Sequence, residues 1–94
     1  MELDKVDIQI PTEATDEAMI ALARSIVENP DPVRWDRDHN VIWSLTPEQR
    51  TMFGAKSDWL AGEAREEGRG ELEQDYLRLA RLAERVPGVK LRSR

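Results

Sequence analysis

Apolar residues fall along this chain in two rhythms, and each change of rhythm marks the border of an element. Over residues 71–86, Leu72, Tyr76, Leu79, Ala80, Leu82, Ala83 and Val86 occupy one side of a helix. They span an arc of roughly 160° at about 100° per residue, with Glu73, Gln74, Arg78, Arg81, Glu84 and Arg85 opposite. Such a stripe must be covered, by the chain's own helices or by a second copy, because Leu72, Leu79 and Val86 recur every seven residues. Leu77 falls outside the stripe. Pro87 and Gly88 stop the helix.

A second stripe, Met19, Ile20, Leu22, Ala23, Ile26 and Val27, predicts a helix entered from Thr12 or Thr15 as cap, with Glu17, Arg24 and Glu28 on its wet face. Asn29, Pro30, Asp31 and Pro32 end it, since a residue before proline is pushed out of the α region. Ahead of it, Val6, Ile8 and Ile10 alternate with Lys5, Asp7 and Gln9, the rhythm of a half-buried strand that stops at Pro11. After it, Val33 and Trp35, then Val41, Ile42 and Trp43, flank the polar run Asp36, Arg37, Asp38, His39 and Asn40. That reads as a β-hairpin with Trp35 and Trp43 on one face.

Thr46, Pro47 and Gln49 form a helix start with a capping box. Continued to Glu67, that helix carries two stripes, Met52 with Ala55 and Trp59, and Phe53 with Leu60 and Ala64, with Lys56 and Glu63 between them. The alternative is a break at Gly54 and a second helix capped by Ser57. Residues 66–71, with Gly68 and Gly70 around Arg69, suit the turn of an antiparallel helix hairpin. Val89 and Leu91 would add a short edge strand or stay loose.

The elements together predict an α+β fold, predominantly helical, in the order β-α-β-β-α-α, with a small antiparallel sheet or hairpin and a C-terminal helical hairpin. One domain would cover 1–94: a strand, helix and hairpin part (1–45), a helical hairpin (46–87) and a basic tail (88–94).

Composition narrows the function more than it reveals it. With 94 residues, there is room for one modest core. The absence of cysteine excludes a disulfide framework, thiolate zinc sites and a cysteine nucleophile. No window resembles a membrane span or a signal peptide, so the expectation is a soluble cytoplasmic protein with no membrane partner. Charge is uneven. Residues 1–31 hold eight carboxylates against Lys5 and Arg24, residues 32–76 hold ten against six cations, and residues 77–94 hold six cations against Glu84. The acidic body repels phosphate backbones, which makes direct nucleic-acid binding unfavourable and leaves Lys90, Arg92 and Arg94 as the only basic stretch.

Candidate chemistry is sparse. Asp36, Asp38 and Asn40 match the opening of a calcium loop, but Val41 stands where its glycine belongs and Pro47 where its glutamate belongs, so no metal is expected. His39 is the lone histidine and lacks a recognisable catalytic partner. No phosphate loop or activated nucleophile occurs, and the expectation is a protein with no cofactor and no enzymatic activity. Gly54 followed by Leu60 has a helix-turn-helix spacing, yet Arg50 replaces the small residue expected four positions earlier, and Asp58, Glu63, Glu66 and Glu67 would face phosphates.

One charged stretch stands out. Glu63, Glu66, Glu67, Glu71, Glu73 and Asp75 crowd together with only Arg65 and Arg69 among them, a pattern that steers a basic partner. Trp59 and Leu77 are the large apolar side chains nearest in sequence that could anchor it. The leading expectation is a small acidic protein-interaction module, of the inhibitor, immunity or phage-encoded blocker kind, bacterial or viral, that docks on the basic surface of a larger protein or nucleoprotein. A dimeric DNA-binding transcriptional regulator, and a self-associating assembly subunit that forms a homodimer through the 71–86 helix, are the alternatives.

Overall fold

The computed structural model describes residues 8–29 and 34–85, including the side chains of all but 34–36. These residues form four helices: α1 (Asp16–Glu28), α2 (Arg34–Trp43), α3 (Pro47–Glu66) and α4 (Gly70–Arg85). The described residues contain no strand. The α+β expectation is therefore overturned in favour of an all-helical bundle. Val6, the stop at 30–32, Val86 with the stop at 87–88, and the strand or basic tail within 89–94 lie outside the described residues.

Helix α1 begins where a threonine can cap it. The Thr15 hydroxyl accepts from the Ala18 amide at 3.1 Å, and Asp16 and Glu17 in the first turn favour the helix dipole. Its predicted stripe is the buried face: Met19, Leu22, Ala23 and Ile26 are buried, with Ile20 and Val27 at the edge of the core. At its far end the Asn29 side-chain nitrogen donates back to the Ser25 carbonyl at 2.8 Å.

The predicted hairpin is α2. Asp38, Val41, Ile42 and Leu45, which follows the helix, lie three, four and seven positions apart, the helical period, and all four are buried. The period was hidden because Asp38 is a carboxylate in a slot that usually holds an aliphatic residue. Arg37 and Arg78 make that tolerable. Arg37 donates through Nε to one Asp38 oxygen at 3.1 Å, and Arg78 Nη2 donates to the other at 2.8 Å. Arg37 also donates to the Asn29 carbonyl and, at 3.2 Å, to the Ile26 carbonyl, so one guanidinium closes the end of α1 and holds α2 against it. Trp35 and Trp43 do not pair across strands. Trp43 is exposed at the last position of α2 and stacks on His39, one turn back, with ring centroids 6.4 Å apart.

Without a hairpin the predicted first strand has no sheet to join, and residues 8–11 run irregularly. Ile8 packs on the core while Ile10 is exposed, which breaks the expected alternation. This segment is held by Gln49. Its side-chain oxygen accepts from the Thr46 amide at 2.9 Å to close the predicted capping box, and its side-chain nitrogen donates to the Pro11 and Glu13 carbonyls at 2.9 and 3.0 Å.

Helix α3 passes through Gly54 without a break, which removes the turn that a helix-turn-helix requires. The glycine serves packing instead: a Cβ built there would stand 3.4 Å from Ala83 Cβ, so α3 and α4 approach closely at this level. Of the two predicted stripes, Phe53, Leu60 and Ala64 are buried, joined by Gln49, Ser57 and Ala61. Trp59 of the other stripe is exposed beneath the ammonium of Lys56, 5.6 Å from its ring centroid, and Lys56 also reaches Asp16 at 3.4 Å. The Ser57 hydroxyl is buried without a partner, a cost of about 1 to 3 kcal/mol.

The α3 to α4 turn follows the predicted glycines. Gly68 takes φ of 74°, a left-handed conformation, and the Arg69 amide donates back to the Ala64 carbonyl at 2.9 Å, a Schellman-type end. α3 and α4 then form an antiparallel hairpin. Helix α1 packs across both α3 and α4, and α2 packs on α4.

Candidate interaction surface

The tip of the α3–α4 hairpin gathers most of the predicted cluster. Glu63, Glu66 and Glu67 come from the end of α3, and Glu71 from the start of α4; all four are exposed, while Glu73 and Asp75 are half-buried. The two groups differ in how their helices receive them. Glu71 and Glu73 sit at the positive end of the α4 dipole, whereas Glu63, Glu66 and Glu67 sit at the negative end of α3, where each carboxylate is disfavoured by about 0.3 to 1 kcal/mol. Arg69 offsets part of this through an exposed ion pair with Glu67 at 3.5 Å.

Trp59, Glu63 and Glu66 stand at i, i+4 and i+7 on α3, so the exposed indole shares a stripe with two of the carboxylates. Leu77 does not join them. It is half-buried and lines a separate groove with Gly54, Asp58, Ala80, Arg81 and Glu84.

Packing adds to the tip what sequence reasoning missed. Arg24 and Glu28, from the end of α1, close one side of a cleft of about 280 Å³ whose other walls are Leu60, Glu63, Ala64 and Glu67 of α3 and Leu72 and Tyr76 of α4, with Arg69 at the turn. Its lining is more polar than apolar, with Arg24, Glu28, Glu63, Glu67 and Arg69 around a small apolar floor, so it suits the cationic end of a partner side chain. Arg24 and Glu28 were legible only as a wet face of α1, more than 30 residues from the acidic run.

Tyr76 is 4% exposed, and burial pushes its phenol above the ordinary value of 10.0; the adjacent Arg24 guanidinium opposes the shift and Glu28 reinforces it. A raised pKa means that the folded protein holds the proton more tightly than the unfolded chain. The corresponding stability is complete below about pH 10 and is lost as pH rises through the folded value. Urea midpoints measured from pH 8 to 11 should therefore fall at the alkaline end, and Tyr76→Phe should flatten that fall.

Of the calcium-loop residues with described side chains, Asp38 and Asn40 do not converge. On α2, Asp38 and Asn40 point about 200° apart, and both Asp38 oxygens are held by arginines. No helix among the described residues is long and apolar enough to cross a membrane. Comparison with known proteins finds no matching family model, no matching curated protein and no matching solved structure.

Proposed function

We propose that this chain is a binding module rather than an enzyme, and that it docks on the basic surface of a larger protein through the tip of the α3–α4 hairpin. The observation that carries the reading is the set of exposed carboxylates at Glu63, Glu66, Glu67 and Glu71 at one tip, two of which, Glu63 and Glu67, line the cleft there. Three of them oppose the α3 dipole, a cost that a cationic partner relieves. Charge then steers association, and desolvated apolar groups hold the complex: the exposed Trp59 beside the carboxylates, and the half-buried Leu72 at the cleft. Inhibitor, immunity and blocker proteins act in this way, by covering a functional basic surface.

The test starts from a pull-down in the native host, with the partner identified by mass spectrometry. The triple variant Glu66→Lys, Glu67→Lys, Glu71→Lys should weaken that complex by more than about tenfold, chiefly through slower association, with the fold intact. Affinity of the unaltered protein should fall as salt rises. An unchanged affinity and salt slope in the triple variant would place the interaction elsewhere.

A further inference from the structure

The outer face of the α3–α4 hairpin carries a groove that no residue of α1 or α2 lines. It consists of two adjoining hollows of about 430 and 350 Å³ that share Gly54, Ala55 and Glu84. Small side chains make it shallow enough for another helix to approach closely. From this face we infer that the chain pairs with a second copy of itself, hairpin against hairpin, about a twofold axis that crosses the groove at Gly54.

The argument is charge self-complementarity. In a twofold interface, residue i meets j and j meets i, so a rim that carries both signs at equal distances from the axis matches itself. On α3, Arg50 and Asp58 lie four residues to either side of Gly54, about 6 Å each way along the helix. Antiparallel pairing of α3 with its copy about Gly54 therefore brings Arg50 of each chain toward Asp58 of the other. The same axis must also suit α4, and it does. Gly54 lies level with Ala83, at the 3.4 Å approach described above, and Arg81 and Glu84 bracket the midpoint between Leu82 and Ala83. One axis thus opposes all four rim charges with their opposites, twice over.

This surface differs from the stripe that sequence alone offers for pairing, because Leu79 of that stripe is fully buried in the chain's own core. It is also distinct from the cleft at the acidic tip, with which it shares no lining residue.

Sedimentation equilibrium of the full chain tests the inference. A concentration-dependent dimer that weakens with salt is expected. Arg81→Glu and Glu84→Arg, both at exposed positions, should each weaken it more than about tenfold, because each substitution creates a like-charge contact twice. The double variant carrying both should restore it, since the swapped rim is again self-complementary. Ala55→Arg, also exposed, should abolish dimerisation by filling the groove while leaving the helical circular dichroism unchanged. The triple variant at the acidic tip should still dimerise, which separates this inference from the proposed function. A monomer at all concentrations, a dimer indifferent to these changes, or a swap that fails to restore pairing would overturn it. Loss of a different bound protein on Ala55→Arg, with no dimer in the unaltered chain, would likewise overturn it in favour of a foreign helix.

Discussion

Asp38→Ala is expected to destabilise the protein by about 3 to 5 kcal/mol, a large share of what a domain of this size possesses. The carboxylate is fully buried between Arg37 and Arg78, and its removal leaves two guanidinium groups facing a space that no longer holds a negative charge. Arg78 feels this most, because its Nε is already buried without a partner. Part of the cost also falls on α1, since the Arg37 guanidinium that grips Asp38 closes the end of that helix. A double-mutant cycle with Arg78→Ala, read from denaturant midpoints, should show strong coupling between the two positions. Replacing both partners with apolar side chains, Asp38→Leu with Arg78→Met, should recover most of the loss, because it removes two charges together rather than orphaning one. A solvated Asp38 in a polar turn would instead give a change within about 0.5 kcal/mol.

Phe53→Ala should cost about 3 to 5 kcal/mol, and Leu79→Ala about 2 to 5 kcal/mol. Both side chains have no exposed surface and belong to the same apolar cluster, so truncation leaves a cavity that helices on several sides cannot collapse into. Leu77→Ala, at the half-buried edge of that cluster, should stay within about 1 kcal/mol. Equilibrium urea unfolding with unchanged m-values would rank the three. A Phe53→Ala variant as mild as Leu77→Ala would mean that α3 is rotated from the orientation described here.

The candidate surface was only half legible beforehand. The carboxylates from Glu63 to Glu71 are close in sequence, and a glycine-bearing turn between two helices brings them to one tip whatever else the chain does. The cleft beside them was not legible, because Arg24 and Glu28 reach it only when α1 crosses the hairpin, and no local pattern encodes a crossing. Leu77 illustrates the same limit. Its place in the sequence suggested the tip, but packing sets it in the groove with Gly54, Asp58 and Glu84, whose lining shares no residue with the tip cleft.

By itself the sequence determined three of the helices. Thr15 and the capping box of Thr46 and Gln49 satisfy backbone amides within one turn, the stripes of α1 and α4 repeat at the helical period, and Gly68 can adopt the left-handed end that closes α3. These are short-range effects, and short-range effects are written in adjacent residues. Only the tertiary structure decided α2, the continuity of α3 and the loss of the first strand. Val41, Ile42 and Trp43 favour strands by local propensity, but a helix lets Val41 and Ile42 reach the core together with Asp38, and Asp38 becomes tolerable there only because Arg78 arrives from forty residues away. Gly54 would end a solitary helix more readily than continue it, yet the close approach of Ala83 rewards its missing side chain. Ile8 and Ile10 alternate as a strand should, but a strand needs a neighbour to receive its amides, and the segment that would have supplied one folded as α2.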